Sequence, residues 1–358
     1  MSSADHPCSM RMVTRDARKS RPALRGRRRE GSDTMNIFAR VFAGVALSAV
    51  VAGTASAQSW DMPTPYPDAT FHTVNIAQFA DAVREATGGT LDITVHSAGS
   101  LIKHPEIKRT VRSGVVPIGE VLISLHANEN PIYGLDSVPF LATSYEDARR
   151  LYAAQRPALE EALAEEGLTL LFSVPWPPQG IYAGQELDSI EDLRGLRFRT
   201  YNPGTARIAE LSGATPVQVE VADLPTAFAT GRVEATITSP STGVNSTFWD
   251  FVSHYHDTQA WLPRNMVVVN TAAFEALDPG VRAALLEAAA AAEARGWEMS
   301  AADTEAATKT LADNGMTIVT PSEGLSTGFQ EIGARIADEW AASAGEAGTA
   351  VLDAYRAN

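Results

Sequence analysis

From residue 74 onward the chain alternates two hydrophobic periods. Ile76, Phe79, Ala80 and Val83 recur at the spacing of one helix face, Gly88-Gly89 breaks that pattern, and residues 90–95 then alternate apolar and polar as a strand does. The same reading predicts a helix over 105–113, a strand near 118–123, a helix over 146–165 and a strand over 169–174. A second series opens after Pro177-Pro178, with strands over 196–200, 216–220 and 233–238 separated by helices over 203–212 and 222–230. A strand over 266–270 leads into a helical stretch of about 280–313, rich in Ala and Glu and started by Asp278-Pro279. A strand over 316–320 and helices within 326–355 close the chain. Such alternation predicts an α/β fold with a largely parallel sheet. A helix as long as 280–313 exceeds what one small lobe needs, and predicts a brace across two. No fixed-period repeat is present, which argues against solenoids and propellers.

The first 57 residues follow different rules. Residues 1–34 hold nine Lys or Arg with almost no apolar periodicity. From Met35 a short charged segment ending at Arg40 precedes an apolar run over 41–53 and then Ala55-Ser56-Ala57. That is the layout of a signal peptide over 35–57 with cleavage after Ala57, and the apolar run is too short to span a bilayer. Residues 1–34 are then expected to be an upstream extension outside the mature protein. A twin-Arg-like leader and a basic nucleic-acid arm are the other readings of that stretch. Removing 1–57 takes away ten basic and four acidic residues, leaving 19 basic against 39 acidic and a net charge of −20. An acidic chain of this kind is repelled by nucleic acid and anionic lipid, yet it can hold one buried cation for an anionic ligand. The one cysteine, Cys8, leaves with the leader, which excludes disulfides, thiolate catalysis and Cys-based zinc sites from the mature protein.

The most informative chemistry lies in Asp192-Leu-Arg-Gly-Leu-Arg-Phe-Arg199. A turn at Arg194-Gly195 feeds a short strand whose alternation puts Arg197 and Arg199 on one face. An arginine on a strand is commonly a solvated edge charge, but a guanidinium is also the side chain best matched to a carboxylate. With this stretch, Thr87-Gly-Gly-Thr-Leu-Asp-Ile-Thr-Val95, Val111-Arg-Ser-Gly-Val-Val-Pro-Ile-Gly-Glu120, Pro139-Phe-Leu141 and Ala227-Phe-Ala-Thr-Gly-Arg-Val-Glu234, the chain from about Ala57 onward resembles the solute-binding proteins of TRAP transporters, the DctP-like family. The resemblance implies a two-lobed periplasmic-binding-protein-like fold with a hinge and a long helix crossing both lobes. It assigns 58–179 plus 265–310 to lobe I and 180–264 plus 311–358 to lobe II. It implies that Arg199 forms the salt bridge to a ligand carboxylate, and that Glu120, on the facing lobe, either accepts a ligand hydroxyl or serves the hinge.

Two departures from the family pattern shape the expected ligand. Where members that bind sialic acid or dicarboxylates often carry a further arginine, this chain reads Trp176-Pro-Pro-Gln-Gly-Ile-Tyr182, so that Tyr182 is expected at the arginine's position. Where the family often has an asparagine, this chain has Thr236-Ile-Thr-Ser-Pro240, and the hydroxyls of Thr238 and Ser239 are expected to replace the amide. Both changes favour a monocarboxylate with an apolar or aromatic body. Trp176, Tyr182, Tyr201 and Trp261 are candidate walls, although buried aromatics more often belong to the core. Should a dicarboxylate bind instead, Arg109 or Arg112 is the cation expected to enter the cleft.

Catalytic and metal readings find less support. Gly324-Leu-Ser326-Thr-Gly328 matches a nucleophile elbow, but such an elbow follows a strand, and no histidine occurs after His256. His254-Tyr-His256 puts two imidazoles on one strand face with Asp257 nearby, yet no third ligand stands at metal-site spacing, and a histidine pair in a surface loop is the plainer explanation. No phosphate-binding glycine motif occurs. The expectation is therefore a periplasmic receptor, not an enzyme, without cofactor or metal. Its expected partners are a small organic acid and the small and large membrane subunits of a TRAP transporter, with no nucleic acid. A ligand sensor of the same fold feeding a receptor, and more distantly a secreted hydrolase, are the alternatives.

Overall fold

The computed structural model describes residues 57–357. The basic extension over 1–34 with Cys8, and the signal-peptide segment as far as Ser56, lie outside the described residues. In chain order the elements are β1 (Gln58–Pro63), α1 (Phe71–Ala86), β2 (Leu91–His96), α2 (His104–Arg112), β3 (Ile118–Leu122), α3 (Tyr145–Glu165), β4 (Leu168–Pro175) and β5 (Gly180–Ala183). There follow β6 (Arg197–Thr200), α4 (Pro203–Leu211), β7 (Thr215–Gln218), α5 (Leu224–Ala229), β8 (Ala235–Thr238), α6 (Pro240–Asn245), β9 (His254–His256) and β10 (Arg264–Asn270). The last are α7 (Thr271–Glu275), α8 (Pro279–Asp313), β11 (Thr317–Val319) and α9 (Glu323–Ala357). Among the described residues no helix is long and apolar enough to cross a membrane.

The strands form three sheets in a mixed α/β architecture, the two smaller ones sharing one hydrophobic core as a first body and the largest forming a second. In the first, β1 pairs with β2, and β10 lies between β3 and β4. In the second, six strands run in the order β11-β9-β5-β8-β6-β7. The expected largely parallel sheet is corrected here, because β10 is antiparallel to both of its neighbours and β5 to both of its own. Parallel pairs need a crossover between strands adjacent in space, and local periodicity detects such units. It does not detect a strand that arrives from far along the chain, as β10 does when it sets Asn265 between Leu122 and Val174.

Helix α1 buries Ile76, Phe79, Ala80 and Val83 against this first body and ends where Gly88 and Gly89 turn at φ of 57° and 77°. Those angles suit a residue without a Cβ. Helix α8, at 35 residues about 50 Å long, contributes Leu285, Ala288, Ala289 and Ala292 to the core of β3, β4 and β10. Its far end contributes Leu311 to a separate core with Tyr182, Phe248 and Tyr255. It thus braces both sheets. The close approach in its middle requires Gly296, where a Cβ would stand 2.5 Å from Val174 Cγ2 and 2.8 Å from Asn75 Nδ2. Helix α9 crosses too. Leu325, Phe329, Ile332 and Ile336 pack on the six-stranded sheet, and beyond them Trp340, Val351 and Tyr355 join a core with Leu151 and Met266.

Candidate functional site

The stretch around Asp192 folds into a launching turn for β6. Asp192 Oδ2 accepts hydrogen bonds from the N–H groups of Asp188 and Ser189, Leu193 is fully buried, and Gly195 turns at φ 79° while its N–H donates to Gly213 O. The strand that follows places its two arginines differently. Arg197, exposed at the start of β6, pairs with Glu234 at 2.9 Å. Arg199 is 4% exposed, and no carboxylate among the described residues lies within 4.0 Å of it. Its Nε donates to Val219 O at 2.9 Å and its guanidinium carbon lies 4.6 Å above the Tyr201 ring. Burial pulls the guanidinium down to about 10, against the opposing influence of Tyr201, Glu220 and Tyr66, so it remains charged at neutral pH.

Arg199 faces a cleft whose walls bound about 440 Å³ of space, open solvent included. The first sheet's side supplies Tyr66, His104, Leu122, Trp176 and Pro263. The six-stranded sheet's side supplies Arg199, Tyr201, Glu220, Val221, Thr238, Ser239 and Thr242, and Gln179 comes from the connection between β4 and β5. Each wall is held from behind. The rings of Tyr66 and Trp176 meet edge to face at 4.9 Å, and both donate to Asn265 Oδ1, at 3.1 and 2.9 Å. An indole N–H can only donate, so the amide oxygen must face it and Asn265 Nδ2 is left to donate to Glu120 at 2.8 Å. Across the cleft Tyr201 donates to Gln179 Oε1 at 3.0 Å, and Gln179 Nε2 to Pro177 O at 2.8 Å. The Thr238 hydroxyl lines the cleft, and it has no hydrogen-bond partner among the described residues.

Of the residues singled out in the sequence, the structure brings Arg199, Trp176, Tyr201, Thr238 and Ser239 together. It places three others behind the lining. Tyr182 is fully buried between β8 and β9, donating to Ser239 O at 3.2 Å and packed against Phe248 and Tyr255. Trp261, 1% exposed, stands in the core with Ile181, Phe198 and Phe329. Glu120, 2% exposed, accepts from Thr64 and Asn265 and lies 3.5 Å from His72 Nδ1. Burial pushes its carboxyl up to about 7, against the two hydrogen bonds. On α2, Arg109 pairs with Glu106 of the same helix and Arg112 with Glu166 at the end of α3, and neither arginine lines the cleft.

The lining includes a carboxylate not singled out by pattern or resemblance. Glu220 follows β7, and its Oε2 lies 3.5 Å from His104 Nδ1. His104 Nε2 accepts from the Leu122 N–H at 3.1 Å, which in the neutral ring puts the proton on Nδ1, towards Glu220. Burial acts to raise the Glu220 carboxyl, but His104 and Arg199 outweigh it and hold the group below the usual carboxylate range. Tyr66 did carry a weak signal, an aromatic fixed between Pro65 and Pro67.

The histidine and serine motifs serve packing. His256 is buried, with Nε2 accepting from the Leu187 N–H and Nδ1 facing Ile181 O. Among the described residues no group of three His, Cys, Asp or Glu could hold a metal ion. Ser326 lies within α9, not at a strand-to-helix turn, and Gly324 and Gly328 let that helix approach Asp188 and Ile190.

The family described as bacterial extracellular solute-binding protein, family 7 (DctP), matches residues 65–343. The crystal structure of DctP6, a Bordetella pertussis extracytoplasmic solute receptor binding pyroglutamic acid, is similar at 46% identity and a TM-score of 0.83, covering 84% of this chain and 100% of that one. A marine metagenome TRAP solute-binding protein specific for pyroglutamate is similar at 43% identity and a TM-score of 0.83, over 85% of this chain and 100% of that one. The uncharacterised protein YiiZ of Salmonella typhimurium is 28% identical over 158 residues, or 42% of this chain, which there spans about half, 48%, of its relative's length.

Proposed function

The chain belongs to the DctP family of bacterial extracellular solute-binding proteins, and from that premise we propose that it captures pyroglutamate, or a cyclic monocarboxylate close to it, for a TRAP-type transporter. One observation carries this reading. Arg199 is a buried cation with no anion of its own: Nε is occupied by Val219 O, while no carboxylate pairs with its terminal nitrogens among the described residues. A ligand carboxylate completes that arrangement with two parallel hydrogen bonds in a site from which closure excludes water. The Tyr66, Trp176 and Tyr201 rings then cover a small ring rather than an open chain. A compact lactam acid thereby replaces the aromatic or branched acid expected from the sequence.

The proposed cycle follows from where the walls come from. We assign 58–179 with 265–310 to lobe I and 180–264 with 311–358 to lobe II, and the packing of Trp340, Val351 and Tyr355 against Leu151 and Met266 supports giving α9 beyond Ile336 to lobe I. The cleft lies between them, and away from it Asn202 Nδ2 donates to Ser124 Oγ at 2.8 Å, a further link from one side to the other. Ligand stabilises the closed form, and that shape is what the membrane subunits recognise. The protein acts as a receptor, without turnover, in the periplasm after removal of the segment ending at Ala57. Thermal unfolding of residues 58–358 with a panel of organic acids tests the assignment. Pyroglutamate at 100 times its dissociation constant is expected to add about 2.7 kcal/mol. Absence of any shift with pyroglutamate, alongside a shift with another class of solute, overturns it.

A further inference from the structure

We propose that Glu220 determines specificity at this site by accepting a hydrogen bond from a ring N–H of the ligand, beside the carboxylate held by Arg199. The inference rests on the pyroglutamate reading and adds to it which protein group distinguishes a lactam from other small ring acids.

Arg199 and Glu220 form an unusual charge pair. Each shifts the ionisation of the other, so they share one cavity, yet no oxygen of Glu220 comes within 4.0 Å of the guanidinium. Two opposite charges in one small cleft ordinarily collapse into contact, because a direct pair gains more than a separated one when water is scarce. Here the backbone prevents it. Val219 O holds Arg199 Nε at 2.9 Å, and Glu220, the next residue, is drawn the other way by His104 at 3.5 Å and Gln218 at 3.4 Å. The gap between cation and anion is a space into which ligand atoms fit.

The carboxylate also has capacity left. An ionised carboxylate offers about four acceptor positions, and among the described residues the Glu220 carboxylate meets only those two long contacts. It accepts and does not donate. A ligand bridging Arg199 and Glu220 must therefore present a carboxylate to the first and a donor to the second. In pyroglutamate the ring nitrogen is bonded to the carbon that carries the carboxylate and bears one hydrogen. The ring oxygen of the corresponding lactone occupies the same place and bears none, so it would set a lone pair against Glu220 and leave the carboxylate with no donor on the ligand side. Glu220 is 31% exposed in the free cleft, so it is the bound ligand that shuts water away from it, and a site built to accept a ligand N–H then disfavours an analogue that lacks one.

The test is a calorimetric comparison of pyroglutamate with its ring-oxygen analogue, 5-oxotetrahydrofuran-2-carboxylate, on wild type and Glu220→Gln. Wild type is expected to prefer the lactam at least thirtyfold, and Glu220→Gln to reduce that preference to about threefold or less, because a glutamine amide can turn to donate to the ring oxygen. If Glu220 serves only to hold the cleft shut through His104, the variant weakens both compounds equally and the ratio survives, which overturns the proposal. Equal binding of the two compounds to wild type overturns it as well, leaving the pyroglutamate assignment intact. No binding of either compound removes both. Unfolding of the free Glu220→Gln variant at the wild-type temperature shows that the changed ratio is not a folding defect.

Discussion

Arg199 Nε and Val219 O, 2.9 Å apart, tie the cation of the cleft to the residue preceding its anion. Strand β6 pairs with β7 through Arg199 and Val217, so the side chain reaches along its own sheet to the segment that leaves it. The guanidinium is held in orientation before any ligand arrives, and a held fork loses less freedom on binding than a free one.

Replacing Arg199 separates charge from geometry. Arg199→Ala is expected to leave the fold intact and weaken carboxylate binding at least a hundredfold, within the range of about 2–5 kcal/mol for truncating one partner of a buried pair. Arg199→Lys retains the charge but has neither the fork nor the Nε donor to Val219, and is expected to lose at least tenfold. Calorimetry with pyroglutamate distinguishes the two. A Lys variant binding as tightly as wild type would show that charge alone suffices.

Behind the aromatic wall Glu120 makes stability depend on pH. His72 from α1, Thr64 after β1, Asn265 from β10 and the Tyr66 ring surround it, and burial holds the neighbouring His72 well below the usual histidine range, so that no cation compensates. The carboxyl titrates at about 7 when folded, against 4.5 in the ordinary state. A folded value raised in this way leaves stability complete below about pH 4.5 and erodes it as the pH rises to about 7, by up to about 3 kcal/mol. Glu120→Gln removes that slope while its amide keeps an acceptor for Asn265. The melting temperature of the variant relative to wild type is expected to rise by several degrees between pH 5 and pH 8. A difference independent of pH would mean that Glu120 is ionised throughout.

Tyr182 shows how far a local pattern reaches. Strand β5 lies between β8 and β9 and is buried along its whole length, so alternation separates its two faces but does not say which one looks into the cleft. The launching turn of β6 is the opposite case, since Asp192, Leu193 and Gly195 are all satisfied within a few residues and the motif was legible as written. The long helix α8 was legible from its cap and its length. Glu220 left no trace, being one acidic residue among 43, and its meaning depends on His104 approaching from a helix more than a hundred positions earlier.

Tyr182→Phe should therefore change stability and spare affinity. The hydroxyl donates to Ser239 O in a fully buried setting, and removing it is expected to cost about 1 kcal/mol with the dissociation constant within threefold of wild type. Gly243→Ala is expected to cost more, about 1–3 kcal/mol, because the added Cβ would stand 2.4 Å from Tyr182 Oη and the ring has nowhere to move. Denaturant unfolding and calorimetry on the same preparations check both. A hundredfold loss of affinity in Tyr182→Phe would place its hydroxyl at the ligand.

The cleft should reject dicarboxylates, for a reason different from the one the sequence offered. Tyr182 in place of a second arginine suggested a missing cation, but Tyr182 does not line the cleft. Among the described residues Arg199 is the one Lys or Arg in the lining, and the same wall carries Glu220, held ionised by His104 and Arg199. A second carboxylate on the ligand therefore meets repulsion rather than mere neglect. Two like charges 4 Å apart in a setting of intermediate polarity repel by about 4 kcal/mol, and even half of that is about thirtyfold in affinity. Glutarate, which has the five-carbon chain of pyroglutamate but two charges and an open form, also gives up the rigidity of the ring on binding. Together these effects predict binding at least a hundredfold weaker than that of pyroglutamate at pH 7. Competition calorimetry measures the ratio. Glutarate binding within tenfold of pyroglutamate would mean that Glu220 swings out of the cleft or that a cation from outside the present lining enters it.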